Sequence, residues 1–303
     1  MIVDDNILVS ELRLAAEKLR AAGVPDAMAD TRILAAAVFG MSREDMLLEP
    51  RRPIDLTARD RFHAIIERRR LREPVARILG AREFRSLDFA LGPETLEPRP
   101  DSEVVVEAAV AFGRAFPGAV RVLDLGTGTG CLLLSVLSEL RDGTGVGSDI
   151  VAGAIEIATC NAYNLGFSER VKFIQTKWTE GIDCTFDLIL SNPPYIMTGD
   201  IENLAPEVAA FDPPLALDGG KDGLDAYRAL AQCIPEKLSS PGVLVIEIGA
   251  GQHDDVTMIF DAGGLSLFGS GTDLGGHVRA LFFAKEPLPE WLMGARKKGL
   301  ETV

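Results

Sequence analysis

A short run of alternating glycines between a predicted strand and a predicted helix is the feature that most constrains how this chain folds. Residues 120–125 are rich in Val and Leu and predict a buried strand, and the apolar residues 131–140 predict a helix. The turn between them reads Gly126-Thr127-Gly128-Thr129-Gly130. Glycines adopt positive φ and let a ligand approach the backbone, so this strand, turn and helix predict the first unit of a nucleotide-type site.

The spacing of these glycines argues against hydride chemistry. A dinucleotide fingerprint needs the pattern G-x-G-x-x-G, but the third glycine here comes one residue early and position 131 is Cys. Asp149 follows the short predicted strand 145–148, at the distance of about 20 residues where such folds place a carboxylate for both ribose hydroxyls. The turn and the acid together predict a cofactor that carries a ribose.

A second site is predicted at Asn192-Pro193-Pro194-Tyr195, which ends the apolar run 186–191. Open α/β sheets build ligand sites at the carboxyl ends of their strands, and two prolines stiffen this turn by fixing φ. The Asn192 side-chain carbonyl and the Pro193 backbone carbonyl can each accept one N–H of an amide or ring-bound amine, which aims its nitrogen at a methyl donor. Tyr195 is expected to cover the flat face of that target and to favour a nearby sulfonium.

Taken alone, this tetrapeptide is equally typical of a plain turn that closes a strand. The glycine turn, Asp149 and the tetrapeptide in this order favour a site. Two further acids need an interpretation. Asp124 is expected to orient the turn or the amino group of a cofactor, and Glu247, which ends the predicted strand 243–248, is interpreted as structural or as a minor orienting group.

With these motifs the chain resembles the class I S-adenosylmethionine-dependent methyltransferases, and more narrowly the protein-(glutamine-N5) methyltransferases that modify peptide chain release factors. The resemblance runs from residue 8 to residue 285. Besides the two motifs above, it rests on the blocks Glu73-Pro74-Val75-Ala76, Ile78-Leu79-Gly80, Pro98-Arg99-Pro100-Asp101-Ser102-Glu103 and Phe211-Asp212-Pro213-Pro214. The block at 98–103 separates this family from the adenine N6 methyltransferases that share the Asn-Pro-Pro-Tyr element.

The resemblance implies a mostly parallel seven-stranded Rossmann-like sheet with helices on both faces, and a small N-terminal helical domain. It implies S-adenosylmethionine as cofactor, held by Gly126 to Gly130 and Asp149, with Trp178 near the adenine and Asn192 between cofactor and substrate. The target glutamine amide is then gripped by Asn192, Pro193, Pro194 and Tyr195. The implied partner is a release factor whose Gly-Gly-Gln glutamine is methylated.

The chain departs from the family pattern at three places. Glu97 replaces an aliphatic residue, Arg85-Ser86 replaces an aromatic residue and glycine, and His277 stands where an acid is common. These departures leave the cofactor assignment untouched and bear on the choice of protein substrate.

Composition and charge narrow the partners. The chain has 303 residues, 47% hydrophobic and 25% charged, and a formal net charge of −14, so nucleic acid is not an expected partner. Four scattered cysteines and three separate histidines predict no metal site. No run is apolar enough to predict a membrane span, and the first six residues resemble no signal peptide, so a cytoplasmic location is expected.

The segment 59–77 carries seven arginines, interrupted by acids. A solvated helix face explains this run, and a docking surface for an acidic partner explains it as well. Its role stays open in the sequence.

Four domain segments are expected. Residues 1–81 predict a helical domain that recognises a protein partner or caps the rest of the chain, with a third helix capped by Ser42 and Asp45 and a fourth capped by Thr57. Residues 82–95 predict a β-hairpin linker, residues 96–285 the cofactor-binding domain, and residues 286–303 a flexible tail.

Two rival functions remain at this stage. One is a methyltransferase acting on a ribosomal protein glutamine or on adenine N6. The other is a silent module that binds S-adenosylmethionine and a partner without transferring a methyl group, although such a module has no need to polarise an amide.

Overall fold

The computed structural model describes residues 7–288 and 291–292, and they form two compact units. The helical unit comprises the described residues up to 81 together with the segment 205–211. The sheet unit comprises residues 82–204 and the described residues from 212 onward. The sequence predicts the segment 205–211 as part of the cofactor-binding domain, whereas in the structure this segment groups with the helical unit.

The helices and strands are numbered along the chain. The helices are α1 (Leu8–Ala21), α2 (Ala27–Phe39), α3 (Arg43–Leu48), α4 (Leu56–Arg70), α5 (Val75–Leu79), α6 (Glu103–Ala115), α7 (Cys131–Glu139), α8 (Ala152–Asn164), α9 (Pro206–Ala209), α10 (Asp225–Lys237) and α11 (His253–Ala262). The strands are β1 (Ala81–Phe84), β2 (Leu87–Ala90), β3 (Arg121–Leu125), β4 (Thr144–Asp149), β5 (Val171–Gln175), β6 (Phe186–Ser191), β7 (Leu238–Glu247), β8 (Ser266–Thr272) and β9 (Val278–Ala284).

The helical unit packs its helices around a small apolar core that includes Leu19, Leu34 and Phe62. The capping box predicted for α3 is confirmed, because the Ser42 hydroxyl accepts from the Asp45 amide and the Asp45 carboxylate accepts from the Ser42 amide. The cap predicted for α4 is wrong. Asp55, not Thr57, accepts from the Ala58 amide at 3.0 Å, since the helix begins at Leu56 and Thr57 already lies inside it.

A partly buried ion-pair cluster holds the segment 205–211 within the helical unit. Arg72 forms a two-point pair with Glu207, with Nε–Oε1 and Nη2–Oε2 both 2.7 Å, and Arg69 Nη2 adds a contact of 3.0 Å. Arg69 Nε also donates to Asp30 at 2.7 Å, and its side chain is only 7% exposed. Planar, two-point pairing of guanidinium with carboxylate is a strong and geometrically specific contact.

The arginine run of 59–77 therefore meets acids of its own chain. Arg69 and Arg72 hold Glu207, while Arg68 pairs with Glu73 and Arg70 pairs with Glu67. These four guanidinium groups are committed to contacts within the helical unit. Pairing within the unit is a third role for these four groups, beside the solvated face and the docking surface that the sequence left open.

Acid should weaken the contact made by Glu207. Partial burial raises its pKa, but the hydrogen bonds from Arg72 and Arg69 outweigh burial and lower the pKa from 4.5 to about 2. A carboxyl whose pKa is lower in the folded state stabilises the fold above its unfolded pKa, and that contribution is lost as the pH falls from 4.5 toward 2. Glu207→Gln is expected to destabilise the helical unit at neutral pH. Because the variant lacks this titrating carboxyl group, its free energy of unfolding should fall less in acid than that of the wild type.

Urea unfolding followed near neutral pH and near pH 3 measures this effect. Glu202→Gln, in the exposed segment just before, is the matched control and is expected to follow the wild type. An identical acid dependence in Glu207→Gln and the wild type would contradict the assigned role of Glu207.

The sheet unit contains the seven-stranded sheet, in the order β5-β4-β3-β6-β7-β9-β8. Strands β3 to β7 are parallel to one another, and β9 runs antiparallel to both β7 and β8. The expected mostly parallel sheet with a closing hairpin is confirmed. Strand order reverses at β3, which lies between β4 and β6, and such a reversal opens a crevice at the carboxyl ends of the strands.

Apolar side chains alternate between the two faces of this sheet. Val122, Leu188 and Leu190 belong to the core on one face, which includes α6 and α7. Leu123 and Ile189 belong to the core on the other face, which includes α10 and α11. Near-continuous apolar runs are typical of parallel strands covered on both faces, and they explain why β3 and β6 are recognisable in the sequence.

The predicted hairpin is present as β1 and β2. Its two turn residues, Arg85 and Ser86, have φ values of 52° and 62°. Two successive positive φ values make a tight two-residue turn whose twist matches that of the strands. Arg85 also reaches Glu107 on α6, with Nη1–Oε1 2.8 Å, so the departure at this position makes a surface ion pair.

Asn161, on α8, joins the hairpin to the glycine turn. Its Oδ1 accepts from the Ala90 amide at 2.8 Å, and its Nδ2 donates to the carbonyls of Ala90 at 3.1 Å and Thr129 at 2.9 Å. The residue is 1% exposed. Because one buried amide satisfies three backbone groups, it fixes the end of β2 relative to Thr129.

Asn161→Ala should destabilise the sheet unit strongly. The change leaves three backbone partners without a hydrogen bond, and an unsatisfied buried polar group costs about 1–3 kcal/mol, so we expect a total loss of about 3 kcal/mol. Urea unfolding measures it. Asn164→Ala on the same helix is the matched control, because Asn164 is exposed and its side chain makes a long hydrogen bond to Cys160 Sγ, at 3.5 Å. An equal effect of both changes would contradict the role of Asn161.

The tail expected from residue 286 is described only in part. Leu288 and Trp291 pack against the core on the α6 face, and the Trp291 indole N–H donates to the Pro241 carbonyl at 3.2 Å. Residues 289–290 and 293–303 lie outside the described residues. Within the part of the chain that is described, no helix has both the length and the apolar character to cross a membrane.

Candidate active site

The two sequence motifs meet because β3 and β6 are neighbours. The register pairs Leu125 with Ser191, the last residues of these strands, and the Ser191 hydroxyl donates to the Leu125 carbonyl at 2.8 Å. Gly126 and Asn192 therefore leave the sheet side by side. The glycine turn and the Asn-Pro-Pro-Tyr tetrapeptide form one site at the point where strand order reverses.

The glycine turn folds back over the end of β4. The amides of Gly126 and Thr127 both donate to the Ser148 carbonyl at 2.9 Å. Gly126, Gly128 and Gly130 have φ values of 75°, 54° and 80°. L side chains rarely adopt this conformation, so the alternating glycines are a backbone requirement of the turn.

Asp149 is held at the end of β4 by the turn itself. Its Oδ2 accepts from the Gly128 amide at 2.9 Å, and its Oδ1 accepts from the Val151 amide at 3.0 Å. A carboxylate oxygen has two lone pairs, so each oxygen can accept one further hydrogen bond. The carboxylate is thus oriented and still able to bind a pair of hydroxyl groups.

Trp178 lies beside this turn. Its backbone has a φ of 51°, and its carbonyl accepts from the Ser148 hydroxyl at 2.8 Å. A Cβ built on Gly126 would lie 3.7 Å from the indole Cζ3, which places the ring next to the start of the turn. The ring lines the same cavity as Asp149.

Asp124 is buried beneath the glycine turn. Burial raises its pKa to about 7, although the Thr127 hydroxyl, which donates to Oδ2 at 2.6 Å, favours the charged form. Its other oxygen, Oδ1, makes no hydrogen bond with any described residue. A fully buried carboxyl with a free oxygen under the turn is suited to a polar group of a bound cofactor.

The Asn-Pro-Pro-Tyr tetrapeptide is fixed from three sides. Asn192 Nδ2 donates to the Ser102 hydroxyl at 3.1 Å. The Tyr195 hydroxyl donates to Glu247 Oε1 at 3.3 Å, and its carbonyl accepts from Gln252 Nε2 at 3.1 Å. Burial raises the pKa of the Tyr195 hydroxyl far above its usual range, so this tyrosine stays neutral.

One cavity of about 540 Å³ joins the two motifs. Eight of the residues predicted for the site line it, namely Gly126, Thr127, Gly128, Thr129, Asp149, Trp178, Asn192 and Pro194. Three others do not line it: Gly130 precedes α7, Pro193 is buried, and the Tyr195 hydroxyl faces Glu247. Among the described residues, no group of three or more His, Cys, Asp or Glu is placed to hold a metal ion.

The sequence does not predict the partners of these side chains. Ser102, within the block 98–103, lines the cavity and holds Asn192. Arg99, from the same block, lines the cavity and pairs with the buried Asp212. The block 98–103 is the sequence feature that could have indicated these residues, because it brings several polar residues to the start of α6.

Two of the departures from the family pattern lie at defined places. Glu97 is 8% exposed, lines the cavity, and pairs with Arg82 at 3.4 Å. His277 is exposed in the loop between β8 and β9, where its amide donates to Asp273 Oδ1 at 2.9 Å. Glu97 is therefore the departure that faces the cavity.

Comparison with known proteins agrees with this geometry. Residues 11–80 match the family model of the PrmC N-terminal domain, and residues 118–247 match that of a methyltransferase domain. A release factor glutamine methyltransferase from Agrobacterium fabrum is 45% identical over 93% of this chain and 98% of its own length. Another from Rhodospirillum rubrum is 46% identical over 90% of this chain and 84% of its own.

The chain belongs to the release factor glutamine methyltransferase family. It is an S-adenosylmethionine-dependent methyltransferase, as expected from the resemblance. Among solved structures, the catalytic domain of hMettl16, in complex with MAT2A 3'UTR hairpin 6, matches with a TM-score of 0.53 and 13% identity. That match covers 71% of this chain and 83% of the other, and it bears on the fold alone.

The cavity of this family member fits its cofactor, S-adenosylmethionine. It presents a flat indole, an oriented carboxylate and backbone without side chains where the glycines stand. The free Oδ1 of Asp124 offers an acceptor beneath the turn. These groups match an adenine ring, a ribose and the ammonium group of an amino acid in their chemistry.

Proposed function

We propose that this enzyme transfers a methyl group from S-adenosylmethionine to the side-chain amide nitrogen of the glutamine in the Gly-Gly-Gln motif of a peptide chain release factor. The observation that carries the proposal is the position of Asn192. Its amide is held by Ser102 at the end of β6, directly beside the glycine turn that ends β3. A polar amide fixed next to a cofactor site is suited to orient a second amide.

We assign the cofactor to the side of the cavity formed by β3 and β4. The turn from Gly126 to Gly130 cradles it, Asp149 binds its ribose hydroxyls, and Trp178 packs near its adenine. Asn192 borders both cofactor and substrate. The positions of these groups around one cavity support the assignment, although Gly130 contributes through the turn and not through the cavity wall.

The substrate amide nitrogen needs orientation, because its lone pair is delocalised and a poor nucleophile. Asn192 Oδ1 and the Pro193 carbonyl each accept one N–H, which directs the nitrogen toward the methyl group. The sulfonium of S-adenosylmethionine supplies that methyl group. Pro194 and Tyr195 complete the binding turn, and the surplus proton of the methylated nitrogen passes to water, so no strong general base is required.

Release factors act in translation, so we place the enzyme in the cytoplasm. Nucleic acid is not a proposed partner, because the chain carries a net charge of −14 and four arginines of its basic run pair with acids of the helical unit. We propose the helical unit as the part that recognises the release factor.

Transfer of a labelled methyl group tests the function directly. The acceptors are a purified release factor, the same factor with its Gly-Gly-Gln glutamine replaced, a ribosomal protein fraction, and DNA. Label on the intact factor alone is the expected result. Label on DNA or on the ribosomal fraction would replace the proposed substrate, and binding of the cofactor without any label would indicate a silent module.

A further inference from the structure

The side chain of Gln252 makes three hydrogen bonds to backbone groups beside the Asn-Pro-Pro-Tyr tetrapeptide. Its Nε2 donates to the Tyr195 carbonyl at 3.1 Å and to the Gly223 carbonyl at 3.2 Å, and its Oε1 accepts from the Gly249 amide at 2.9 Å. Turning this amide over would place its oxygen against two carbonyls and its NH2 group against an N–H. The backbone therefore allows one orientation of the side chain, in which both donors are committed to carbonyl oxygens.

Three buried glycines approach Tyr195 and Gln252 so closely that no side chain fits at their positions. A Cβ on Gly223 would lie 2.5 Å from the Tyr195 carbonyl oxygen, and one on Gly219 would lie 2.8 Å from the Tyr195 Cα. A Cβ on Gly249 would lie 2.7 Å from Gln252 Oε1 and 3.0 Å from Tyr195 Cδ2. Ordinary van der Waals contact begins at 3.4 Å, so a methyl group at any of the three would displace its neighbour. We call Gln252 and these three glycines the Tyr195 clamp.

The loop that carries two of these glycines is itself bonded to the chain after the tetrapeptide. The Ile196 amide donates to the Leu217 carbonyl at 3.0 Å, and the Ile196 carbonyl accepts from the Gly219 amide at 2.8 Å. A methyl group added at Gly219 would therefore push on Tyr195 in a place where the loop cannot retreat without breaking these hydrogen bonds.

The clamp fixes the end of the tetrapeptide that lies away from the sheet. The other end follows Ser191, whose hydroxyl donates to the Leu125 carbonyl in the neighbouring strand at 2.8 Å. Between the two ends, the prolines fix φ and leave few rotations to absorb a movement. A displacement of Tyr195 is therefore passed back along the turn and tilts the Pro193 carbonyl relative to the Asn192 side chain.

We propose that Gln252 is a positioning residue for methyl transfer, which holds the Tyr195 carbonyl so that the two acceptors of the tetrapeptide converge on the target amide. This inference rests on the proposed function for its catalytic consequence, whereas the clamp itself exists without substrate. Gln252 does not line the cavity, so it acts through the turn and not on the reacting atoms. The glycines of the clamp supply the space in which this contact is made.

Two changes in the full chain weaken the clamp by different means. Gln252→Met keeps the approximate length of the side chain and removes both donors, whereas Gly219→Ala keeps the donors and pushes on the Tyr195 Cα. Because a displacement of about 1 Å at a reacting centre can cost about 100-fold in rate, we expect each change to lower kcat by about tenfold or more. The Kd of S-adenosylmethionine, measured by calorimetry, should stay within about threefold, since the glycine turn and Asp149 are unaltered.

Gly199→Ala is the matched control for Gly219→Ala. Neither glycine has a positive φ, and a Cβ on Gly199 would meet no atom within 4 Å. The control is expected to keep the wild-type kcat and cofactor affinity. The double variant of Gln252→Met and Gly219→Ala should lose less than the product of the two single losses, because both changes act through Tyr195.

A carbonyl signal reports the state of the clamp without turnover. The chain contains three tyrosines, and only Tyr195 is followed by isoleucine. Protein labelled with ¹³C at the tyrosine carbonyl carbons and with ¹⁵N in isoleucine therefore gives a single carbonyl-to-amide correlation, from Tyr195 and Ile196. Its ¹³C shift responds to the hydrogen bonds that the carbonyl accepts. We expect it to change in Gln252→Met and in Gly219→Ala, and to stay constant in Gly199→Ala.

The value of kcat is measured on whichever acceptor the wild type methylates, so the two proposals can fail separately. If that acceptor is not a release factor but both variants still lose kcat, the proposed substrate is wrong and the clamp stands. The absence of transfer to any acceptor would overturn both.

The clamp is wrong if Gln252→Met leaves the Tyr195 signal unchanged, or if both single variants keep the wild-type kcat. A loss of cofactor affinity in parallel with kcat would indicate a general structural role and would overturn the positioning role. An equal loss of kcat in Gly199→Ala and Gly219→Ala would overturn it as well, because the contact with Tyr195 would then not matter.

Discussion

Asn192→Ala is expected to lower kcat by about 10³-fold while leaving cofactor affinity within a few-fold of the wild type, because one preorganised hydrogen-bonding group at a reacting centre is worth about 10²–10³. The substrate nitrogen loses the acceptor that orients its lone pair, whereas Asp149, Trp178 and the glycine turn are unchanged. The change also removes the hydrogen bond from Asn192 Nδ2 to the Ser102 hydroxyl.

Single-turnover methyl transfer and calorimetric titration of S-adenosylmethionine measure the two quantities separately. Asn203→Ala is the matched control, because Asn203 is exposed in the segment after the tetrapeptide and its side chain makes a long hydrogen bond to the Gly199 carbonyl, at 3.5 Å. The role of Asn192 would be refuted by near-normal turnover, or by a large loss of cofactor affinity without a loss of kcat at saturation.

Asp149→Ala should show the opposite pattern. Its carboxylate is oriented by the amides of Gly128 and Val151, and each of its oxygens can accept one hydroxyl of the ribose. Removing both charge-assisted contacts should weaken cofactor binding by about 100-fold, or about 3 kcal/mol, whereas kcat at saturating cofactor should recover most of its value.

The cofactor Kd and the KM for cofactor measure this effect. Asp142→Ala, in the exposed turn before β4, is the control and should leave both constants unchanged. A loss of kcat at unchanged cofactor Kd would contradict the role of Asp149 in cofactor binding. If Asp149→Ala lowered kcat alone and Asn192→Ala weakened cofactor binding alone, the two roles would be exchanged.

The cofactor half of the site is the part that the sequence predicts well, and the reason is local. The turn from Gly126 to Gly130 needs positive φ at three of its residues, and only glycine adopts it without strain. Asp149 follows the next strand, and consecutive parallel strands lie side by side here. The cofactor half can therefore be predicted from the sequence, because it depends on local backbone geometry and on the order of the strands.

The hydrogen bonds that hold the substrate half of the site could not be predicted in the same way. Ser102 holds Asn192 across 90 residues of chain, Tyr195 reaches Glu247 across 52, and Asn161 reaches Ala90 across 71. No spacing or periodicity relates such pairs before the sheet forms. The prediction of the α4 cap was wrong for a more local reason. Asp and Thr are both favoured at the N-cap, and Asp55 takes this position because the helix begins at Leu56.

The arginine run shows the same division. Its composition predicts a charged helix, and α4 extends to Arg70. Its partner Glu207, however, lies 135 residues from Arg72, in a segment that packs with the helical unit. Whether the arginines are free or paired depends on where the segment with Glu207 packs. No local sequence pattern predicts that packing.

By itself the sequence determined the order of strands and helices, the glycine turn, and the polar tetrapeptide at the end of β6, because each follows from backbone geometry or from apolar periodicity. Tertiary structure alone decided which residues face one another around the cavity and how strongly each is desolvated. Burial raises the pKa of Glu247 and Asp124 to about 7. Charge in a protein depends on the surroundings of a group, and those surroundings exist only once distant segments have packed.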